Sequence, residues 1–345
     1  MGRGLEIGRS TVTIVEMELQ NVVIDDLLGE SGAPDTMGRE VRAGLTSSPR
    51  WIPSKYFYDT RGSELFEEIT RLPEYYLTRA EQALLEASAP AIAALTQFRE
   101  LVEPGAGSAK KTRTLIDAGL AEGCLERLLL VDVSHEMAEQ GARTMAGDYP
   151  GLEVHGVIAD FEADLGKIPP ADGRLVVFLG STIGNFTRTQ AQALLRRIKA
   201  LAGEGGWLLL GTDLVKERSM LEAAYNDSRG VTAQFNGNIL EVVNRHLDGN
   251  FVKGRFEHVA FFNEVESRIE SYLRARSAHS VRLGKLDLEI DLDKGEMIHT
   301  EISCKYTREA VTSLLTAAGF GIHRWFTDVD DTFALSLSRV ESEEP

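Results

Sequence analysis

From residue 99 onward, short all-apolar runs alternate with amphipathic stretches. Residues 99–103, 128–133, 152–159, 174–179 and 207–211 read as strands, with 128–133, 174–179 and 207–211 the most continuously apolar. Strands buried on both faces read this way, as in parallel sheets covered by helices. Between them a helix is predicted from about Lys111 to Ala118, closed by Gly119, and another over 134–147. A third opens at the capping box Thr187-x-x-Gln190 and lines up Leu194, Leu195, Ile198 and Leu201 on one face. Strands alternating with helices predict a parallel, doubly wound α/β sheet.

The flanks follow other rules. Residues 1–27 hold a Val/Ile-rich stretch ending in two acids, and 29–38 carry turn residues and predict a loop. Leu65, Phe66, Ile69 and Leu72 share a helical face near Ser63. Thr78-x-x-Glu81 has capping-box spacing and predicts a helix running to about residue 96, with Pro90 kinking or restarting it. After Asp213 the alternation fails. Residues 215–247 read helical, and 251–262 and 287–304 show the period of two expected of strands. A helix over 307–318 is closed by Gly319, and 332–337 is a last strand. The simplest organisation is a second domain inserted into the first. Segments 80–214 and 306–345 then form the sheet domain, 20–79 and 215–305 the insert, and 1–19 an N-terminal extension.

Composition narrows the partners. The 345 residues carry 37 Lys+Arg against 53 Asp+Glu, a net charge of −16. Nucleic-acid binding draws its affinity from cations on phosphate, so such a partner is disfavoured, as is an anionic membrane surface. No apolar run approaches the roughly 18 residues of a membrane span, and the N-terminus lacks signal-peptide pattern. Cys124 and Cys304 form no C-x-x-C, so a cytoplasmic, disulfide-free monomer is the expectation. The seven histidines are scattered without metal-ligand spacing, and Asp328, Asp330 and Asp331 read as a turn rather than a metal cluster; no metal is expected.

Candidate chemistry gathers at the predicted strand ends. Glu103-Pro104-Gly105-Ala106-Gly107 lies where the first apolar strand turns into a helix. Glycines there let a ligand approach the backbone and the free N–H groups of the helix start. A Gly-x-Gly alone is as readily an ordinary turn. Here Asp132 ends the second strand, where such folds bind ribose hydroxyls. Asp160 and Phe161 end the third, a pair able to hydrogen-bond an adenine amino group and cover its face. Three such features in succession point to a nucleoside. The dinucleotide pattern G-x-G-x-x-G/A breaks at Lys110, and Glu103 opposes a nearby pyrophosphate. S-adenosylmethionine, a sulfonium without phosphate, fits better. Gly180-Ser181-Thr182-Ile183-Gly184-Asn185 follows the fourth strand, at the crevice where a substrate meets the cofactor. Asn185 either caps the next helix or faces that substrate. Glu301 and Ser303, two apart on a predicted strand, share a face. That face is either solvated or offers a carboxylate and a hydroxyl to a ligand N–H.

Longer motifs carry a resemblance. Pro53-Ser54-Lys55-Tyr56-Phe57-Tyr58-Asp59, Leu72-Pro73-Glu74-Tyr75-Tyr76, Thr78-Arg79-Ala80-Glu81, the 178–185 segment and the 300–305 segment are similar to those of the L-histidine Nα-methyltransferases of ergothioneine biosynthesis. The resemblance runs from about residue 20 to 339. It implies a Rossmann-like class I methyltransferase domain, with a seven-stranded, mostly parallel sheet and an inserted α+β substrate-binding domain. It implies S-adenosylmethionine bound by Gly105, Lys111, Asp132, Asp160 and Phe161. It also implies a substrate carboxylate held by Asn185 and Tyr225, an imidazole recognised by Tyr75, Glu301 and Ser303, and Tyr58 beside the reacting amine. The implied product is trimethylated histidine, hercynine. The chain departs from the family at Pro104 and Ala106, where E-L-G-S-G is common, and at Ser271, where Met is common. Rival readings are methylation of another amino acid, such as tryptophan or tyrosine, and a non-catalytic nucleoside-binding module.

Overall fold

The computed structural model describes residues 21–28, 34–107 and 109–341. The expectations for residues 1–19, for 29–33 of the first loop, for Ser108 and for the acidic tail beyond 341 lie outside the described residues.

Six parallel strands build the central sheet, in the order β1 (Val22–Asp26), β5 (Glu153–Ile158), β4 (Arg127–Asp132), β3 (Glu100–Pro104), β6 (Arg174–Phe178) and β7 (Trp207–Asp213). β14 (Phe333–Val340) and β13 (Phe320–Thr327) complete it as antiparallel strands beyond β7. Every residue of β3, β6 and β7 is buried, as expected of strands covered on both faces, and their acidic and basic members Glu100, Glu103, Arg174 and Asp213 are paired inside. Helices α3 (Leu77–Thr96), α4 (Thr112–Ala121), α5 (His135–Asp148), α6 (Arg188–Ala202) and α9 (Arg308–Thr316) supply that cover. Among the buried charged side chains, Arg174, 1% exposed, pairs with Glu100 and donates to the carbonyls of Leu201 and Pro169. Strand order reverses beside β3, which has β4 on one flank and β6 on the other. The crevice at the C-terminal strand ends there is the ligand position of open α/β sheets.

The sheet thus has eight strands where seven were expected. The addition is β1, which pairs in register with β5 from Val22↔Val154 to Asp26↔Ile158 instead of packing with the inserted segment. The chain also finishes the sheet with a helix and two strands rather than one. Phe320–Thr327 escaped notice because its exposed positions and a register shift between Ile322 and Arg324 blur the period of two.

The other segments form a second layer. β2 (Arg50–Trp51), β12 (Met297–Cys304), β9 (Arg268–Ala275) and β8 (Phe256–Asn263) make a four-stranded sheet in that order, and β10 (His279–Leu283) pairs with β11 (Leu288–Leu292) as a ribbon. Around them lie α1 (Pro34–Thr46), α2 (Thr60–Ile69), α7 (Arg218–Tyr225) and α8 (Val231–Leu247). The predicted loop over 29–38 is thus corrected in its last residues, where α1 begins with Pro34, a residue suited to a helix start.

Pro90 does not restart α3, which runs as one helix from Leu77 to Thr96. The buried stripe Leu84, Leu85, Ala89, Ile92 and Ala93 holds it to the core, while Pro90 and Glu86, whose carbonyl loses its partner, face solvent. Nor is Thr78 its cap. The helix starts one residue earlier, after Tyr76, without a side-chain cap. Asp328 accepts from the Thr332 and Phe333 amides and the Thr332 hydroxyl, the turn expected of that acidic run.

Candidate active site

Three strand ends define the cofactor side. Gly105 has φ +72°, a left-handed geometry that favours glycine, and a Cβ there would stand 3.4 Å from the Phe161 ring. Asp132 bonds the loop from the next strand: its Oδ2 accepts the Gly107 amide at 3.1 Å and its Oδ1 the Ser134 amide at 2.9 Å. Burial raises the Asp132 pKa, and the two backbone N–H groups oppose that rise. Each oxygen keeps a lone pair for a ligand hydroxyl. Asp160 accepts the Glu162 amide at 2.8 Å, and Phe161 packs edge-on against Phe178 and Phe186. Space beside Gly107 is open within 4 Å of a built Cβ, which leaves a cradle between loop, carboxylates and ring. These residues fit a nucleoside such as that of S-adenosylmethionine.

Lys111 reaches this side by a route the spacing did not show. Its ammonium pairs with Glu81, which is wholly buried and accepts the Gly180 amide on both oxygens, at 2.7 and 2.9 Å. The predicted capping glutamate of α3 is therefore the clamp between α3, the glycine loop and the end of β6. It needs room: a Cβ on Gly211 would lie 2.2 Å from Glu81 Oε1. Glu103, buried beside it and bonded by Thr112, has its pKa raised by burial to about 8.

An aromatic wall forms the substrate side. Tyr58 meets Phe66 and Phe235 edge-on at 5.8 and 5.6 Å between centroids. Tyr75 meets Phe66 at 6.2 Å and Tyr225 at 6.5 Å. The loop bearing Tyr58 is pinned by Asp59, which caps α2 through the Gly62 amide and accepts from Asn238 and Arg245 of α8. Glu301 faces this wall. Burial raises its pKa to about 7, opposed by the Lys305 charge and a hydrogen bond from Ser271, its partner in register on β9. Its charge in turn raises the pKa values of Tyr58 and Tyr225 beyond what burial does. Glu301 is thus turned toward these tyrosines while keeping partial exposure. A bulge between His299 and Glu301 ends just before this segment, so Glu301 and Ser303 fall in regular register and share one face.

Ser303 joins a buried polar cluster. The Tyr225 hydroxyl donates to Ser303 Oγ at 2.7 Å, and Lys305 Nζ donates to Ser303 Oγ at 2.8 Å and to the Tyr225 oxygen at 3.2 Å. Lys305 also pairs with Asp213 at 2.7 Å, and Asp213 accepts from Tyr76 and Lys216. Burial pushes the Lys216 ammonium down to about 8. Asn185 lies at the end of a 3₁₀ turn, and the α6 cap falls to Thr187 with its full capping box. With the capping role taken, the Asn185 side chain makes no hydrogen bond to another described residue.

The structure puts Gly105, Asp132, Asp160 and Phe161 at neighbouring strand ends, joins Lys111 to Glu81, and gathers Tyr58, Tyr75, Tyr225, Glu301 and Ser303; Asn185 is placed only by its backbone, after β6. The spacing missed Phe66, Phe235, Glu81, Tyr76, Asp213, Lys216 and Lys305. Phe66 and Phe235 carried only core-like periodicity. Asp213 and Lys305 stood out only as charges at the ends of apolar strands. Among the described residues no cluster could hold a metal ion, and no helix is long and apolar enough to cross a membrane.

Comparison with known proteins agrees with this geometry. A family profile described as "Histidine-specific methyltransferase, SAM-dependent" matches residues 37–340. The "Histidine N-alpha-methyltransferase" of Mycolicibacterium smegmatis is 46% identical over 311 residues, 90% of this chain and 97% of that protein. That of Mycobacterium tuberculosis is 45% identical over 317 residues, 92% of this chain and 99% of that protein. "Ergothioneine biosynthesis protein 1" of Schizosaccharomyces pombe is 29% identical over 247 residues, which span 68% of this chain and 32% of that longer protein. Matches of this extent show that the chain, folded on a mostly parallel α/β sheet, belongs to the histidine-specific, S-adenosylmethionine-dependent methyltransferase family.

Proposed function

We propose that the chain transfers methyl groups from S-adenosylmethionine to the α-amine of L-histidine, three in succession, giving hercynine for ergothioneine biosynthesis. The observation that carries the substrate reading is Glu301, a desolvated carboxylate aimed among Tyr58, Tyr75 and Tyr225 with Ser303 on the same face. The named activity of the two mycobacterial relatives supports it.

S-adenosylmethionine, when bound, supplies an electrophilic methyl group on a cationic sulfur. Asp132 takes the ribose hydroxyls, Asp160 and Phe161 the adenine, and Gly105 admits the ligand to the backbone. The Lys111 ammonium stands at the mouth between the glycine loop and Gly180, placed there by Glu81. Asn185 holds the histidine carboxylate, Glu301 accepts the imidazole N–H and Ser303 meets the other ring nitrogen, while Tyr225, whose hydroxyl proton goes to Ser303, backs the Ser303 hydroxyl rather than donating to the carboxylate. Holding both reactants so that the amine lone pair lies behind the methyl carbon can supply about 7–11 kcal/mol of the barrier.

Each transfer forms one N–C bond as the methyl–sulfur bond breaks, its electron pair leaving with S-adenosylhomocysteine. After the first and second transfers the nitrogen carries a proton that must depart before the next, and the third leaves a quaternary ammonium. Burial and Glu301 raise the Tyr58 pKa, so it stays a neutral phenol and does not serve as a standing base. It orients the amine and passes the proton toward solvent, to which it is 48% exposed. The growing cation faces the rings of Tyr58, Phe66, Tyr75 and Phe235, a setting that favours quaternary ammonium groups.

Incubation with each amino acid and S-adenosylmethionine, followed by mass spectrometry, tests the proposal. Histidine gaining three methyl groups is the expected result. Turnover of tryptophan or tyrosine in preference to histidine overturns the substrate assignment, and a product stopping at one methyl overturns the trimethylation. Tyr58→Phe should slow the later transfers about tenfold or more, with mono- and dimethylated histidine accumulating.

A further inference from the structure

The hydroxyls that face the imidazole are not free to choose whether they donate or accept. Lys305 Nζ is fully buried and has three acceptors, Asp213 Oδ2 at 2.7 Å, Ser303 Oγ at 2.8 Å and the Tyr225 oxygen at 3.2 Å. An ammonium has three protons and no lone pair, so all three are committed and none of these partners can donate to it. The Ser303 and Tyr225 hydroxyls hold two protons between them, and one closes the 2.7 Å bond that joins them. The other cannot go to Lys305. It has to leave the cluster as a donor.

We propose that Lys305, anchored on Asp213, is a positioning residue that locks the Ser303–Tyr225 pair as a hydrogen-bond donor beside the acceptor Glu301. The pocket then presents one acceptor and one donor on a single strand face. That is the complement of a neutral imidazole, which has one N–H and one bare nitrogen. An imidazolium would set a second N–H against the donor, and a ring with no bare nitrogen would leave the donor unpaired. The lock extends the imidazole recognition proposed above and rests on that reading. Asp213 makes it durable: Tyr76 at 2.8 and 2.9 Å and Lys216 hold the carboxylate from the start of α3 and the end of β7. For the same reason Asp213 keeps partners when Lys305 is replaced.

A double-mutant cycle in the full-length enzyme tests the lock, using Lys305→Met, Ser303→Ala and their combination. Histidine KM, kcat and S-adenosylhomocysteine affinity are measured for each. Ser303→Ala should raise histidine KM roughly tenfold, the scale of one buried hydrogen bond. Lys305→Met should raise it comparably, with a smaller change in kcat and unaltered S-adenosylhomocysteine affinity. The double variant should be no worse than the poorer single one, because Lys305 acts through Ser303. Lys305→Gln, which retains hydrogen-bonding capacity but adds an acceptor, should also raise KM, and it supplies the reading should Lys305→Met fail to fold. Lys305 variants with wild-type histidine KM, or effects that multiply in the double variant, overturn the lock. A Ser303→Ala enzyme with unchanged histidine KM overturns instead the imidazole reading on which the lock rests.

Discussion

Glu301 holds its proton against two opposing influences. Burial raises its pKa to about 7, while the Lys305 charge and the Ser271 hydroxyl pull it down. The ionised carboxylate is much the stronger acceptor for an imidazole N–H, so histidine affinity should weaken as pH falls through about 7. Folding carries the other sign. A carboxyl whose folded pKa exceeds its unfolded value favours the folded state fully below about 4.5 and loses that contribution as pH rises through about 7. Glu301→Gln removes both titrations. Calorimetry in the presence of S-adenosylhomocysteine should show histidine binding about tenfold weaker at pH 8 and a flatter profile between pH 6.5 and 8. The variant's thermal midpoint at pH 8 should exceed that of the wild type. A wild-type binding profile would refute the role of Glu301. On the cofactor side, Asp132→Ala should weaken S-adenosylhomocysteine binding at least tenfold, since two ligand hydrogen bonds go with it; calorimetry showing unaltered affinity would overturn that assignment. Asp132 and Asp160 were legible because each closes an unbroken apolar run, so position along the strand already told their place. Glu301 was visible only as one member of an alternating face. Whether such a face meets water or aromatic rings depends on α2, α7 and the Tyr75 segment, far away in sequence.

Elements with a strong period read correctly and mixed ones did not. β3 to β7 and α6 are written in contiguous apolar runs and a complete capping box. β9 has buried polar residues at Glu270 and Ser271, one serving an ion pair with Arg268 and the other serving Glu301, so its pattern does not resemble a strand built for a core. Thr78-x-x-Glu81 shows the converse. Its spacing is right for a cap, but the chain spends Glu81 on Lys111 and Gly180, and a spacing rule has no means of weighing that tertiary demand. The Asp59 cap of α2 ties local order to the site, because the same carboxylate holds Asn238 and Arg245 and the residue directly follows Tyr58. Asp59→Ala should cost about 1–2 kcal/mol of stability. It should also raise histidine KM while leaving S-adenosylhomocysteine affinity unchanged. Equal losses at both sites would mean that Asp59 supports the whole fold rather than the substrate loop.

The net charge of −16 says little about the chemistry, which uses acids withdrawn from water. What unifies the molecule is the junction between its two sheets. β7 runs on past Asp213 so that Leu214 bridges Tyr306, with the Tyr306 amide on the Asp213 carbonyl and the Val215 amide on that of Tyr306. The Asp213 side chain meanwhile gathers Tyr76, Lys216 and Lys305, from the start of α3, the end of β7 and the end of β12. The sheet that carries the cofactor cradle and the strand that carries Glu301 and Ser303 therefore end on the same buried carboxylate. Two parts so joined should unfold together. Thermal unfolding should give one transition, coincident by circular dichroism and by tryptophan fluorescence, although Trp51 lies on the second sheet and Trp207 on the first. In the site proposed above S-adenosylhomocysteine binds the first part, and mass action should raise the midpoint of that single transition as its concentration grows. Tyr76→Phe removes one bond to Asp213 and should lower stability by about 1–3 kcal/mol. If the junction is the tie, that loss should shift both signals equally. A variant in which the Trp51 environment melts before the central sheet would show instead that the parts are held by the aromatic wall, with Asp213 serving the substrate side alone.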